Sequence, residues 1–208
     1  KPFLIAEISA NHNGSIDKCL KLIKTAKKNG ADAVKIQTYN PQAMTINSKR
    51  KEFKITKGLW KGYTLWNLFS KAQTPYAWHK KIFDYAKKIN ILCFSSAFDK
   101  SSIELLEKLN CPIYKIASFE ITDIELLKYT AKKGKPMIIS TGGAGFKGVD
   151  SVVRRTRRTS RGTWTSSSRC WRRIRRSGRP RVNSSKNHYC SLRLRLCTIR
   201  TRLSNKSF

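Results

Sequence analysis

Acidic residues are scarce in this chain, and they are absent from its last quarter. Asp and Glu number 12 against 44 Lys and Arg, so the formal net charge of the 208 residues is +32. The last acidic residue is Asp150, and the last Glu is Glu125. A charge this one-sided excludes an ordinary, evenly charged globular protein and is typical of a solvated, disordered or nucleic-acid-binding segment.

Other absences narrow the function further. No two of the six cysteines form a C-x-x-C pair, so a zinc site or a disulfide framework is poorly supported and isolated thiols are predicted. No apolar run approaches the ~20 residues of a membrane span, and no signal peptide is visible. The sequence therefore predicts a soluble cytoplasmic protein with no membrane partner.

The basic residues change type near residue 143. Residues 1–143 hold 24 Lys, one Arg and 11 acids, whereas residues 144–208 hold 16 Arg, 3 Lys and one acid. The net charges of the two parts are +14 and +18. A switch from lysine to arginine at one point indicates that the two parts were not shaped by the same constraints.

Residues 1–142 alternate between apolar strands and amphipathic helices. Buried strands that alternate with helices predict a parallel sheet covered by helices, and repeats of about 22 residues suit a (β/α)₈ TIM barrel. Five strands and four helices are predicted, so the α/β barrel is incomplete. The strands are expected at 3–9, 33–39, 91–99, 112–120 and 136–140, with residues 40–73 as a long connection.

Helix starts are marked by capping residues. Ser15 is predicted to cap the first helix, and Thr74 the second, with Pro75 at its first position. Thr122 and Glu125 have the spacing of a capping box before the fourth helix.

Residues 149–208 show no apolar periodicity. Leu192, Leu194 and Leu196 alternate with arginines, which is enough for one strand and too little for three βα units. Residues 144–208 are therefore predicted to be irregular or disordered. The G-x-G-x-x-G spacing of Gly143, Gly145 and Gly148 lacks the amphipathic helix and later acid that a dinucleotide-binding turn requires.

Polar side chains gather where the predicted strands end. The period of two puts Lys35 and Gln37 on one face of their strand, near the end where barrel active sites lie. Two lysines in apolar strands, close to serines, suit a phosphate or carboxylate, and glutamates suit sugar hydroxyls or acid–base work. The sequence thus predicts an enzyme for a phosphorylated substrate. The candidate residues are Glu7, Lys35, Gln37, Lys115, Ser118, Glu120 and Ser140.

Several motifs in order resemble the sialic acid synthase family. They are "FLIAEISANHNGSIDKCLKLIKTAKKNGADAVKIQTY", "FSSAFD", "YKIASFEITDIELL" and "KPMIISTG", and the resemblance covers residues 2–142. Within that family, "GLWKGYTLWNLF" and "AQTPYAWHKKIFDYAKK" are most similar to the pseudaminic acid synthase branch. The resemblance implies a TIM barrel followed by an antifreeze-like domain, working as a homodimer.

The resemblance also implies a reaction. Phosphoenolpyruvate condenses with an N-acetylated hexosamine, here a 6-deoxy-diacetamido sugar, to give a nine-carbon sugar for cell-surface glycans, with release of phosphate. Lys35, Lys115, Ser118 and Ser140 would hold phosphoenolpyruvate. Glu7, Gln37 and Glu120 would contact the sugar or the reacting centre. A divalent metal, Mn²⁺ or Mg²⁺, would polarise the sugar aldehyde.

The histidines do not match the metal ligands of the family. Those ligands lie in later barrel strands, and no matching motif occurs in residues 144–208, where the single histidine is His188. The metal site is therefore expected to be missing. His12 is predicted to bond within a turn, and His79 to lie on a helix surface.

Three explanations compete for residues 143–208, an Arg/Ser-rich basic tail without an antifreeze-like domain. Out-of-frame translation accounts for the lost periodicity, the arginine switch and the end of the resemblance. The alternatives are a nucleic-acid-binding arm, in which Trp164 and Trp171 stack on bases, and a diverged second half of the barrel. In the first case the partial barrel at 1–142 has two open sheet edges, and the chain is expected to be unstable and inactive as a synthase.

Overall fold

A computed structural model of the chain describes residues 2–142, 145, 148, 150–152, 154 and 196–199. All of its strand pairs are parallel, in the order β5-β4-β3-β2-β1-β6. The strands are β1 Phe3–Glu7, β2 Ala33–Thr38, β3 Leu92–Ala97, β4 Tyr114–Ile116, β5 Met137–Ile139 and β6 Leu196–Ile199. The predicted α/β class and its five strands of an incomplete barrel are confirmed.

Helices connect the strands on the outside of the sheet. The helices are α1 Ile16–Lys28, α2 Pro41–Met44, α3 Leu65–Ala72, α4 Tyr76–Lys88, α5 Lys100–Lys108 and α6 Ile124–Lys132, with 3₁₀ turns at Lys51–Phe53 and Phe119–Thr122. The predicted long connection at 40–73 thus contains two helices and a 3₁₀ turn. Among the described residues, no helix has both the length and the apolarity to cross a membrane.

The core lies between the sheet and these helices. Val34 and Ile36 on β2 are fully buried against Ile23 of α1 and Ile82 of α4. A second cluster joins β3 and β4 to α5 and α6, with Tyr114 fully buried. Apolar burial of this kind is the main favourable contribution to folding, at about 25 cal/mol per Å².

Two helix starts differ from those predicted. Pro75, and not Thr74, occupies the N-cap position of α4, because the Thr74 hydroxyl is buried and directed at His12. Asp123 caps α6, its Oδ1 accepting from the backbone N–H of Leu126 at 2.9 Å. Thr122 is drawn into the preceding 3₁₀ turn, where its hydroxyl donates to the carbonyl of Phe119.

Two short stretches beyond residue 143 are regular, although the sequence predicted an irregular segment there. Residues 148, 150–152 and 154 are helical, and Val152 is buried in the cluster that contains Leu126. Leu196–Ile199 forms β6 and pairs with β1, since main-chain hydrogen bonding at an open edge does not require an apolar pattern. The sequence predicted two open sheet edges, but the edge of β1 is paired with β6.

The N-cap of α5 offers a test of local stability. Asp99 accepts from the Ser102 backbone N–H at 2.8 Å and from the Ser101 hydroxyl at 2.7 Å. Asp99→Ala is expected to lower the free energy of unfolding by about 1 kcal/mol. Asp84→Ala is the matched control, since Asp84 only forms an exposed pair with Lys80, and less than about 0.5 kcal/mol is expected. Urea unfolding followed by circular dichroism measures both, and equal losses would contradict the capping role.

Candidate active site at the carboxyl ends of the strands

The strand register places the predicted site residues on neighbouring strands. Glu7 pairs with Lys35 across β1 and β2, and Gln37, Ser96 and Lys115 are aligned across β2, β3 and β4. Lys35 and Gln37 are half-buried, whereas the alternate residues of β2 are fully buried against α1 and α4. The predicted face of Lys35 and Gln37 is therefore confirmed.

Lys35 is held by an anionic and a neutral oxygen. Its Nζ forms an ion pair with Glu7 and donates to the Ser96 hydroxyl at 3.4 Å. The side chains of Lys35 and Glu7 are 14% and 19% exposed, so water screens their attraction only in part. The other carboxylate oxygen of Glu7, Oε1, is buried and has no hydrogen-bond partner in the described part of the chain.

Lys115 lies on β4 in a different environment. Its Nζ donates to the Ser140 hydroxyl and to the Ile116 carbonyl, each at 2.6 Å. The pKa of Lys115 is lowered to about 8, mainly by burial and to a smaller extent by repulsion from Lys35. The carboxylates of Glu7 and Glu120 act in the opposite direction. Lys35, Glu7, Glu120 and Lys115 thus form one electrostatically coupled group.

Glu120 lies in surroundings that disfavour its charged form. Burial raises the pKa of Glu120, and repulsion from Asp123 raises it further. A backbone hydrogen bond and the positive charge of Lys115 act in the opposite direction. Glu120 Oε2 is buried and lacks a hydrogen-bond partner among the described residues. Burial and the missing hydrogen-bond partner therefore favour the protonated form of Glu120 more than an exposed glutamate would.

Gln37 and Ser118 lie at the strand ends but do not join this group by hydrogen bonds within the described residues. Ser118 precedes the 3₁₀ turn and is next to Gly142, where an added Cβ would lie 3.8 Å from the Ser118 Cβ. The neighbouring Phe119 is 85% exposed, which the sequence pattern did not single out.

A buried hydrogen-bond network that the sequence pattern did not indicate links α4 to β2 and β3. His79 Nδ1 donates to the Pro75 carbonyl at 3.0 Å, so neutral His79 accepts at Nε2 from the Thr38 hydroxyl at 2.8 Å. Ser95 continues the chain, its hydroxyl 2.6 Å from that of Thr38. Burial lowers the pKa of His79 to about 4.

The two histidine predictions have opposite outcomes. The surface position predicted for His79 is wrong, because α4 turns this side chain onto β2, where it is fully buried. The turn bonding predicted for His12 is confirmed, since its Nδ1 accepts from the Gly14 backbone N–H at 3.1 Å. His12 also packs edge-on against Trp78, and burial lowers its pKa.

The divalent metal implied by the resemblance would need several donors in one place. Among residues 2–142 and the other described positions, no group of three or more His, Cys, Asp or Glu side chains can hold a metal ion. Glu7 is already paired with Lys35, and burial raises the pKa of Glu120, so neither carboxylate is placed to bind a cation. The described residues do not fit a metal site.

The family is decided by a sequence profile. The profile of the NeuB family matches residues 22–166, which is more than half of the chain. The chain belongs to the NeuB family. The resemblance predicted from the motifs is therefore confirmed, and the match to the family continues beyond residue 142.

Curated relatives of this NeuB-family chain include two pseudaminic acid synthases. The enzyme of Campylobacter jejuni subsp. jejuni serotype O:23/36 (strain 81-176) is 52% identical over 142 residues, which cover 68% of this chain and 41% of the relative. That of Helicobacter pylori (strain ATCC 700392 / 26695) is 43% identical over 159 residues, covering 76% and 47%. The chain thus spans less than half the length of these relatives.

Solved structures support the same fold. The N-acetylneuraminic acid (sialic acid) synthetase of Leptospira borgpetersenii serovar Hardjo-bovis, in complex with citrate, matches with a TM-score of 0.66 and 29% identity, covering 78% of this chain and 53% of that one. A truncated 3-deoxy-D-arabino-heptulosonate 7-phosphate synthase of Thermotoga maritima matches with a TM-score of 0.53 and 10% identity, covering 78% and 48%, and shows likeness of fold alone.

Proposed function

We propose that this chain supplies the phosphoenolpyruvate-binding part of a synthase site. The whole enzyme would join phosphoenolpyruvate to an N-acetylated hexosamine and release phosphate. The observation that supports the proposal is the coupled pair of lysines, Lys35 and Lys115, at the ends of parallel strands with Ser140 bound to one of them. Two cations with a hydroxyl donor suit a ligand that carries both a phosphate and a carboxylate.

The proposed reaction divides the work among these side chains. C3 of phosphoenolpyruvate attacks the open-chain sugar aldehyde, water adds at C2, and phosphate leaves by cleavage of the C–O bond. Lys35 and Lys115 balance the negative charge of the phosphate and carboxylate, with Ser118 and Ser140 as hydrogen-bond donors. Glu120 exchanges a proton with the reacting groups, while Glu7 and Gln37 contact the sugar.

The sugar is proposed to be a 6-deoxy-diacetamido hexose, which would give a pseudaminic-acid-type product. The support is the likeness to curated relatives named as pseudaminic acid synthases, two of them at 52% and 51% identity. No step in this proposal passes through a metal, because the described residues do not form a site for one.

Binding of phosphoenolpyruvate by the 208-residue chain tests the assignment without requiring turnover. Lys115→Gln is expected to weaken binding about tenfold or more, since a charge-assisted hydrogen bond contributes about 1.5–3 kcal/mol. Lys128→Gln is the matched control, because Lys128 lies on α6 and forms an exposed pair with Glu125. Isothermal titration calorimetry gives both affinities. Equal affinities for the two variants, or no binding by the unaltered chain, would refute the proposal.

Residues 143–208 are proposed to be an out-of-frame translation. The support is the switch from lysine to arginine and the loss of apolar periodicity in the sequence. Because the family match runs to residue 166, the change of frame is proposed to lie between residues 143 and 166. Translating the coding DNA in the other two frames past codon 143 is the test. A histidine-bearing barrel sequence in one of them is expected, and its absence from both excludes the explanation.

A further inference from the structure

A buried hydrogen-bond network joins α4 to the carboxyl ends of β2 and β3. It consists of the Pro75 carbonyl and the side chains of His79, Thr38 and Ser95, and we name it the His79 network. All three side chains are fully buried. The two hydroxyls are 2.6 Å apart although they lie 57 positions apart in the chain. The network thus bonds a helix to two strands, which the main-chain hydrogen bonds of the sheet cannot do.

Each hydrogen bond of the His79 network has a defined direction. A hydroxyl has a single hydrogen, and a neutral imidazole has one donor and one acceptor nitrogen. Because His79 Nδ1 donates to the Pro75 carbonyl, its Nε2 accepts the hydrogen of the Thr38 hydroxyl at 2.8 Å. The Thr38 oxygen in turn accepts the hydrogen of Ser95. Removing either hydroxyl therefore leaves a buried polar atom without its partner, which costs more than the bond itself contributes.

The His79 network lies opposite the candidate site, at the point where the register of β2 and β3 ends. Thr38 comes directly after Gln37 in β2. Ser95 comes directly before Ser96 in β3, and successive side chains of a strand point to opposite faces of the sheet. On the site face, the Ser96 hydroxyl accepts from Lys35 Nζ at 3.4 Å, which is long for a hydrogen bond. A small separation of the two strand ends would therefore break this contact.

We propose that Thr38 and Ser95 are positioning residues for the anion-binding face of β2 and β3. By bonding the strand ends to α4, their hydroxyls keep Ser96 within reach of Lys35 and so fix the direction of the Lys35 cation. Neither residue contacts the ligand, since both lie on the opposite face of the sheet. A cation that is held in advance binds an anion more tightly, because the ligand does not have to provide the free energy of ordering it. The inference rests on the proposed function only for the identity of that anion, phosphoenolpyruvate.

Titration of the full 208-residue chain with phosphoenolpyruvate, followed by calorimetry, is the first test. Thr38→Val keeps the shape of the side chain and removes its hydroxyl, and binding is expected to weaken about fivefold, which corresponds to the loss of one internal hydrogen bond. Thr38→Ser restores the hydroxyl and should restore the affinity. Thr130→Val is the matched control, because Thr130 is equally buried but its hydroxyl only donates to the Leu126 carbonyl within α6. Its affinity should not change.

The NMR signal of the Lys35 ammonium gives a second readout, which does not need phosphoenolpyruvate. In a chain isotopically labelled at lysine Nζ, this signal is assigned by its absence from Lys35→Met. Its protons are expected to exchange slowly with water, because the Lys35 side chain is only 14% exposed and is ion-paired with Glu7. Thr38→Val is expected to speed this exchange severalfold, and Thr130→Val to leave it unchanged. Ser95→Ala should act like Thr38→Val, and it takes its place if circular dichroism shows that Thr38→Val does not fold.

The outcomes also distinguish this inference from the proposed function. If the unaltered chain does not bind phosphoenolpyruvate, the proposed function is refuted, and the exchange rate of the Lys35 ammonium alone decides the positioning role. A Thr38→Val chain that is less stable but keeps the Lys35 exchange rate would show that the His79 network only stabilises the fold, and this overturns the inference. Equal effects of Thr38→Val and Thr130→Val would overturn it as well, because a general loosening of the fold would then be the cause.

Discussion

Between pH 6.5 and pH 4, the free energy of unfolding is expected to fall by about 3 kcal/mol because of His79 alone. Burial lowers the pKa of this histidine from 6.5 to about 4 in the folded chain. The unfolded chain therefore binds a proton over this range that the folded chain does not bind. The stability is fully present above pH 6.5 and is lost as the pH falls towards 4.

The variant His79→Gln isolates this contribution. Glutamine can still donate to the Pro75 carbonyl and bond Thr38, but it does not titrate, so the fall in stability between pH 6.5 and pH 4 should shrink by about 3 kcal/mol. His12→Gln is the comparison variant: burial also lowers the pKa of His12, so its removal should reduce the pH dependence in the same direction but by less. Urea unfolding at each pH gives the values. An unaltered pH dependence in His79→Gln would show that His79 is not the group responsible.

Lys35→Met is expected to lower the free energy of unfolding by about 2 kcal/mol. The substitution keeps the length of the side chain and removes the cation that is paired with Glu7. The carboxylate, only 19% exposed and with Oε1 already lacking a hydrogen-bond partner in the described residues, then stays in place without its ion pair. Removing one member of a partly buried pair costs more than the pair itself contributes.

A double-mutant cycle checks the cause of this loss. Adding Glu7→Gln to Lys35→Met should recover more than half of it, because the unpaired charge is removed together with its partner. Lys128→Met serves as the control on an exposed pair, for which less than about 0.5 kcal/mol is expected. Additive effects of Glu7→Gln and Lys35→Met would mean that the two side chains do not interact in the folded chain.

Local patterns were sufficient for most of the elements in residues 1–142. The period of two in 33–39 placed Val34 and Ile36 on one face and Lys35 and Gln37 on the other, and the structure has the same arrangement. Ser15 caps α1 as its position suggested, with its hydroxyl oxygen accepting from the Lys18 backbone N–H. Such features depend on residues within one or two turns, which the sequence displays directly.

Errors arose where a neighbour distant in the chain decided the outcome. Thr74 looks like an N-cap, but its hydroxyl is directed at His12, 62 residues earlier. At α6 the cause is local instead, because Thr122 ends the preceding 3₁₀ turn and leaves Asp123 as the N-cap. N-cap propensity identifies the candidate residues, but the packing of the folded chain decides which of them occupies the cap position.

Periodicity and composition were enough to predict the parallel α/β order, the buried faces of the strands and the presence of lysines and glutamates at the strand ends. Only the folded arrangement shows that Lys35 is ion-paired with Glu7, that Lys115 donates to Ser140 and that His79 bonds Thr38 across 41 residues of chain. The physical reason is that charge pairing and desolvation depend on sheet register and helix docking. These bring together groups far apart in the chain, whereas periodicity and capping act between near neighbours.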